Sequence, residues 1–225
     1  MPSDPAYETI AAASIDEARA LQERLSTAVR EEPGPEHIEV VAGVDVAYPS
    51  GEREARAAVV LWHLASGRVV ARAIASVRLT FPYLPGYLAW RELPAVLAAW
   101  RGVSGRPDVV LCDGHGRAHP RRCGLACLVG LALGLPTIGC AKNALTGRHE
   151  ALGWARGSRT PLFDGAEIVG AALRTRSGVR PVFVSIGHRI TLDKACEVVL
   201  EISRFRLPEP LRAAHAAAQA KTPRP

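Results

Sequence analysis

The sequence has no apolar run long enough to cross a bilayer. Its most apolar stretch, Leu125 to Leu135, falls short of the ~20 residues that a helical span needs. The first residues carry Asp4, Glu8, Asp16 and Glu17 and no apolar core, unlike a secretory leader. Cysteines number five, with no Cys-x2-Cys pair, which argues against a disulfide framework and predicts reduced thiols in a cytoplasmic protein. Internal repeats and heptads are absent, and the only biased tract is the alanine-rich segment 213–218. No membrane partner is expected.

What is present suits one α/β domain over residues 1–225, with an irregular arm at 1–13 and a disordered tail at 216–225. The chain has 225 residues, 48% of them hydrophobic, enough for one well-packed core. A formal net charge of +6 favours an acidic partner, and nucleic acid is the commonest. A solvated basic surface would give the same total.

Read in order, Ser14 to Glu17 fits a capping box, and Ala18, Leu21, Leu25 and Ala28 continue at helical spacing. Residues 38–48 are apolar on both faces and read as a central strand, interrupted by Asp45. Residues 56–64 and 69–79 form a hairpin around Ser66-Gly67. Phe81 to Gly86, with Pro82 and Pro85, makes a stiff turn that presents Tyr83. A helix follows to about Arg101, with Glu92 one turn after Leu88. Residues 108–112 form another strand, which ends on Asp113 and the Gly114-His115-Gly116 turn. A buried helix at 121–134 and a strand at 136–141 complete a βαβ unit, with Lys142 at the last strand's tip. Residues 143–163 read as a surface loop, 168–174 and 182–186 as a hairpin, and 192–203 as a final helix capped by Thr191. The tail from Arg206 reads as basic, proline-broken and surface-lying.

Three carboxylates need a common explanation: Asp45 in the first strand, Glu92 on a helix and Asp113 at a later strand tip. In a mixed sheet the first strand can lie beside the fourth, bringing Asp45 to Asp113, and a helix packed across them can add Glu92. Clustered carboxylates repel unless a cation sits among them, and hard oxygen donors select Mg²⁺, with Mn²⁺ as substitute. Such an ion activates water against a phosphate, and Lys142 could steady the transition state. An exposed aromatic in a rigid turn can wedge between bases; a loop anchored by a buried aromatic is the plainer reading of Tyr83. Cys112, His115, His119, Cys123 and Cys127 invite a zinc reading, but Cys123 and Cys127 sit on an apolar helix, where cysteine packs as a small hydrophobe. A Cys–His hydrolase lacks a cysteine at an exposed helix N-terminus.

Val41-Ala42-Gly43-Val44-Asp45, Phe81 to Gly86 through Arg91-Glu92, Asp113 to Gly116 with Ala118-His119-Pro120, and Pro136 to Lys142 together resemble the endonuclease V family. Ser185 to His188 and Pro208 to Arg212 before His215 extend the resemblance. It implies an RNase H-like mixed sheet flanked by helices. The implied activity is Mg²⁺-dependent hydrolysis of DNA at the second phosphodiester bond 3′ to deoxyinosine, leaving 3′-hydroxyl and 5′-phosphate ends. It further implies Asp45 and Asp113 as metal ligands, with Glu92 completing the acidic set. Lys142 would stand at the scissile phosphate, and His215 near the metal or the strand. Tyr83, flanked by Pro82, Leu84 and Pro85, would be the wedge, and His119 would stand near the backbone or lesion. The base must be flipped out to be read. Gly86, Leu88, Gly114, Gly116 and Gly139 are the pocket candidates.

The chain departs from the family pattern at His115, where Gln or Asn is usual, at Ile186, where proline is usual, and at Tyr87 and Trp90 in the wedge helix. The expected partner is DNA bearing deoxyinosine or other deaminated bases, with inosine-containing RNA as a further candidate, and the chain is expected to act as a monomer. Two other readings remain: a non-catalytic nucleic-acid-binding module on the same fold, and a related Mg²⁺ nuclease on branched DNA or inosine-containing RNA.

Overall fold

The computed structural model of the chain describes residues 14–49 and 53–220; the expected arm at 1–13 and the segment 221–225 lie outside them. Helix α1 (Ile15–Ser26) is capped as its sequence predicts, the Glu17 amide donating to Ser14 Oγ at 3.2 Å. Strands β1 (Val40–Ala47), β2 (Glu54–His63) and β3 (Arg68–Arg78) form an antiparallel meander. Next come α2 (Leu88–Arg101), β4 (Val109–Cys112), α3 (Leu125–Leu133) and β5 (Thr137–Ala141). Strands β6 (Arg148–His149), β7 (Arg159–Asp164), β8 (Glu167–Leu173) and β9 (Val182–His188) precede α4 (Leu192–Glu201) and α5 (Glu209–Gln219).

One sheet runs through the described residues in the order β3-β2-β1-β4-β5-β9-β8-β7-β6. Only β1–β4 and β4–β5 pair in parallel, so the sheet is mixed. Alternation sorts its side chains to two faces. Ala42, Val44, Val110 and Cys112 pack with α1, α2 and α3. Val41, Val109 and Leu111 pack with α4 and Leu211 of α5, while alanines of α5 meet Ala47, Ala58 and Val60. The parallel strands are therefore covered on both faces, which is why they read as uninterrupted apolar runs.

Three expectations need correction. The surface loop predicted at 143–163 contains β6 and β7. Strand β7 includes Pro161, which lies outside the two residues that β6 pairs, so its missing N–H costs no ladder bond to β6. Helix α3 begins at Leu125 rather than Arg121, because Arg122 adopts φ 56° and breaks the helical path. The tail does not stay irregular: α5 runs to Gln219 and buries Leu211, Ala214, Ala217 and Ala218. Pro210 falls in its first turn, where the missing N–H would have had no partner anyway.

Candidate active site

The parallel pairing of β1 and β4 creates the centre of the site. Val44 lies opposite Cys112, and the Asp113 amide donates to the Val44 carbonyl at 2.9 Å. Asp45 and Asp113 therefore follow the last parallel pair side by side. Burial, reinforced by the charge of Asp113, raises Asp45 to about 6, while the His215 imidazole works against the rise.

Glu92 arrives from α2, on the opposite face of the sheet, and reaches past the strand ends to the same point. Burial lifts its carboxyl to about 8; a hydrogen bond from Tyr48 opposes the rise, and the charges of Asp45 and Asp113 add to it. That bond runs from Tyr48 Oη to Glu92 Oε1 at 2.9 Å. Tyr48 was not singled out from the sequence, although it follows Asp45 by three residues, just past the end of the same strand.

Two cationic or protonatable groups close the acidic cluster. Lys142, just beyond the tip of β5, places Nζ 2.6 Å from Asp113 Oδ2. Burial acts to lower its ammonium value, and the ion pair with Asp113 outweighs that and raises it. His215 of α5 places Nδ1 2.8 Å from Asp45 Oδ2. Among the described residues, no three His, Cys, Asp or Glu side chains are already closed into a metal cage, since the two aspartates face His215 and Lys142 instead. The donor set nevertheless fits a hard cation. It is all oxygen, and burial, reinforced by the neighbouring carboxylates, makes both Asp45 and Glu92 hold protons more tightly than usual.

These five side chains line a cavity of about 440 Å³, together with Tyr83, Leu84, Pro85, Gly86, Leu88, Gly114 and His119. His115, Asn143 and Leu145 add to its wall. Tyr83 is 62% exposed at the rim, so it is not itself a buried anchor for the loop. Pro82 lies beside it on the loop, outside the lining. The loop is pinned through the Gly86 carbonyl, which accepts from His119 Nε2 at 2.9 Å, from Gln22 Nε2 at 3.3 Å and from the Arg121 guanidinium. Arg121 also stacks on the Tyr87 ring at 4.0 Å, and its Nε donates to Gln22 Oε1 at 2.7 Å. The sequence signal for Gln22 was a lone amide on the apolar stripe of α1, one residue after Leu21.

His119 is neutral in this setting. Its Nε2–H donates to Gly86, its Nδ1 accepts from the Arg121 amide at 3.1 Å, and burial lowers it to about 4. Both nitrogens are engaged within the protein, so the ring shapes the pocket wall rather than offering a charge to a phosphate. His115 donates its Nε2–H to the Asn143 carbonyl at 2.9 Å and ties the two sides of the cavity together.

Gly116 and Gly139 sit behind the wall and do not line the cavity. A Cβ on Gly139 would lie 2.4 Å from the Gly116 amide nitrogen, and one on Gly116 would lie 2.0 Å from the Ile186 carbonyl oxygen. They let three backbone segments touch, which is a different task from meeting a base. The Gly116 amide donates to Ser185 Oγ at 2.9 Å, fixing that turn to β9. Cys112, Cys123 and Cys127 are buried and outside the cavity lining, so none faces His115 or His119 from within it.

A mixed sheet led by β3-β2-β1-β4-β5, with acidic residues at the tips of its parallel strands and a lysine beside them, marks an RNase H-like nuclease. The family model described as Endonuclease V matches residues 22–216, and the chain belongs to that family. Endonuclease V of Roseiflexus castenholzii is 50% identical over 212 residues, 93% of this chain and 95% of its own. The crystal structure of Endonuclease V from Streptomyces avermitilis matches with a TM-score of 0.88 at 48% identity, covering 92% of each chain. Endonuclease V of Ciona intestinalis, solved in complex with a 24mer DNA containing an inosine followed by a ribo-adenosine, matches with a TM-score of 0.75 at 26% identity. That match covers 91% of this chain and 96% of the other.

Proposed function

We propose that the protein is a Mg²⁺-dependent repair endonuclease, with Mn²⁺ as a substitute ion. It recognises deoxyinosine in DNA and hydrolyses the second phosphodiester bond 3′ to the lesion, giving 3′-hydroxyl and 5′-phosphate ends. The observation that carries the reading is the convergence of Asp45, Glu92, Asp113 and Lys142 on one cavity whose rim is the Tyr83 turn. Asp45 and Asp113 would hold the metal, with Glu92 completing the set. The ion would supply a lowered pKa for a bound water and positive charge against the phosphate.

The chain's own residues do the rest. Tyr48 holds Glu92 in one orientation through its hydroxyl. Lys142 lies where a phosphate oxygen would enter and offers a cation that stays protonated. His215 orients Asp45 through Nδ1, and its side chain, 55% exposed, lines the cavity. Tyr83 fills the space vacated by a flipped base, and the Gly86 to Leu88 wall with Gly114 receives that base against backbone groups.

The test is nicking of a duplex with one deoxyinosine in Mg²⁺, with the cut mapped and both end groups identified. Asp45→Ala and Asp113→Ala should abolish it; retained activity in either overturns the metal assignment. Binding without any cut would favour the non-catalytic module. A second substrate class merits an arm of the assay, because the DNA bound by the Ciona relative carries a ribo-adenosine after the inosine. Inosine-containing RNA is that arm.

A further inference from the structure

Beside the catalytic cavity lies a second cleft of about 330 Å³ that shares Lys142 and Asn143 with it. It is basic: Arg174, Arg180 and Arg206 line it, with Lys142, paired to Asp113, at the edge it shares with the first cavity, against one acid in the lining, Glu150. Two of these guanidinium groups are built into the wall without meeting a carboxylate in any of their hydrogen bonds. Arg174 donates to the carbonyls of Gly153, Leu152 and Val179. Arg206 donates to the carbonyls of Lys142 at 2.6 Å, Pro181 at 2.9 Å and Arg180 at 3.1 Å. Carbonyl partners fix the position of a guanidinium without cancelling its charge, so the cleft keeps its positive field. Burial and the charge of Arg180 both weaken the hold of Arg206 on its proton, as crowded cations should.

The cleft also has aromatic surfaces. The His149 and Phe183 rings, both in its lining, pack at 5.6 Å; Trp154, 74% exposed, stands beside the cleft and outside its lining, against the Arg174 guanidinium at 4.9 Å. Arginines that read phosphates and exposed rings that stack on bases are the pairing found where single strands are held.

We propose that this cleft carries the cleaved strand on the 3′ side of the cut, its phosphates on Lys142, Arg180 and Arg206 and a base on Trp154. The proposal rests on the function given above: the lesion side of the cavity is the Tyr83 to Leu88 wall, so a strand cut 3′ to the lesion leaves past Lys142.

The variants are Arg180→Glu and Trp154→Ala, both at exposed positions outside the catalytic set. Inosine duplexes carrying a long 3′ flank, or one trimmed to two nucleotides past the cut, would be compared for nicking. Binding would be measured in parallel by anisotropy without divalent metal, across a salt series. On the long flank Arg180→Glu should weaken binding roughly tenfold and lower the salt slope by about one. On the trimmed flank it should match the unaltered protein. Trp154→Ala should weaken binding about fivefold with an unchanged salt slope. Equal binding by all three proteins on the long flank overturns the proposal, as does a loss that persists undiminished on the trimmed one. Failure of the unaltered protein to nick inosine DNA would count against the proposed function instead, and the binding arm still decides the cleft.

Discussion

His215 Nδ1 lies 2.8 Å from Asp45 Oδ2, although 170 positions separate the two residues. The contact exists because α5 lies close against β1. Gly43 permits that approach: a Cβ there would meet the Pro210 carbonyl oxygen at 2.2 Å. Gly43→Ala should therefore push α5 away, cost about 1–3 kcal/mol of stability and lower nicking at least ~10-fold. His215→Ala should lower nicking with little change in stability, since its ring is half exposed. Thermal melts and nicking rates on both variants check this; a Gly43→Ala protein indistinguishable from the parent would refute the coupling.

Glu92 gives a prediction of opposite sign. A carboxyl raised from 4.5 to about 8 in the folded state favours folding below pH 4.5, and that contribution is lost as pH rises through 8. At neutral pH without metal the fold therefore carries a penalty of up to about 3 kcal/mol. Glu92→Gln should raise the melting temperature at pH 7–8 in chelator while lowering nicking ~100-fold. A lower melting temperature under those conditions would show that burial is not what governs Glu92.

His119 sets an acid limit. Its value falls from 6.5 to about 4 on folding. Above pH 6.5 the ring is neutral in both states. As pH drops from 6.5 towards 4 the unfolded chain takes up the proton first, so stability declines by at most ~1.4 kcal/mol per pH unit from this group. Denaturant titrations from pH 4 to 7 should show a shallower decline in His119→Gln. His115 and His188, lowered by burial, and Asp164 and Glu167, lowered by Arg122, contribute to the slope that remains.

Gln22 is fully buried and bridges Gly86, Cys123 and Arg121. Gln22→Leu would leave those partners without it, at about 1–3 kcal/mol. Because the lost bonds pin the wedge turn, KM for an inosine duplex should rise more than kcat falls. Steady-state kinetics at a temperature where the variant stays folded would separate the two; a change confined to kcat would place Gln22 elsewhere in the mechanism.

Much of this architecture was legible in the residues themselves. Asp45 stood out because a charge in a doubly apolar strand needs a partner, and the adjacency of the first and fourth strands supplied Asp113. Glu92 was readable on the core stripe of α2, though not that it would come from the opposite face of the sheet. Helix α5 was hidden by Pro208 and Pro210, which look like breakers until their place at a helix start is known. Strand β7 was hidden by Pro161. Tyr48 and Arg121 leave no periodic or spacing signal, because each acts through a neighbour, by a hydrogen bond to Glu92 or to the Gly86 carbonyl; Gln22 leaves only a lone amide on the apolar stripe of α1. Gly116 and Gly139 show the converse, since close packing of three backbone segments and close approach to a base demand the same residue.

The path of the chain through the site also has a consequence for its birth on the ribosome. The aspartate of β1 is made early and its histidine partner on α5 only 170 residues later. Until α5 has emerged and settled over Gly43, a nascent chain can display the acidic pair without the helix that orients it. A nuclease assembled in this order stays unfinished during its own translation, close to the messenger that encodes it.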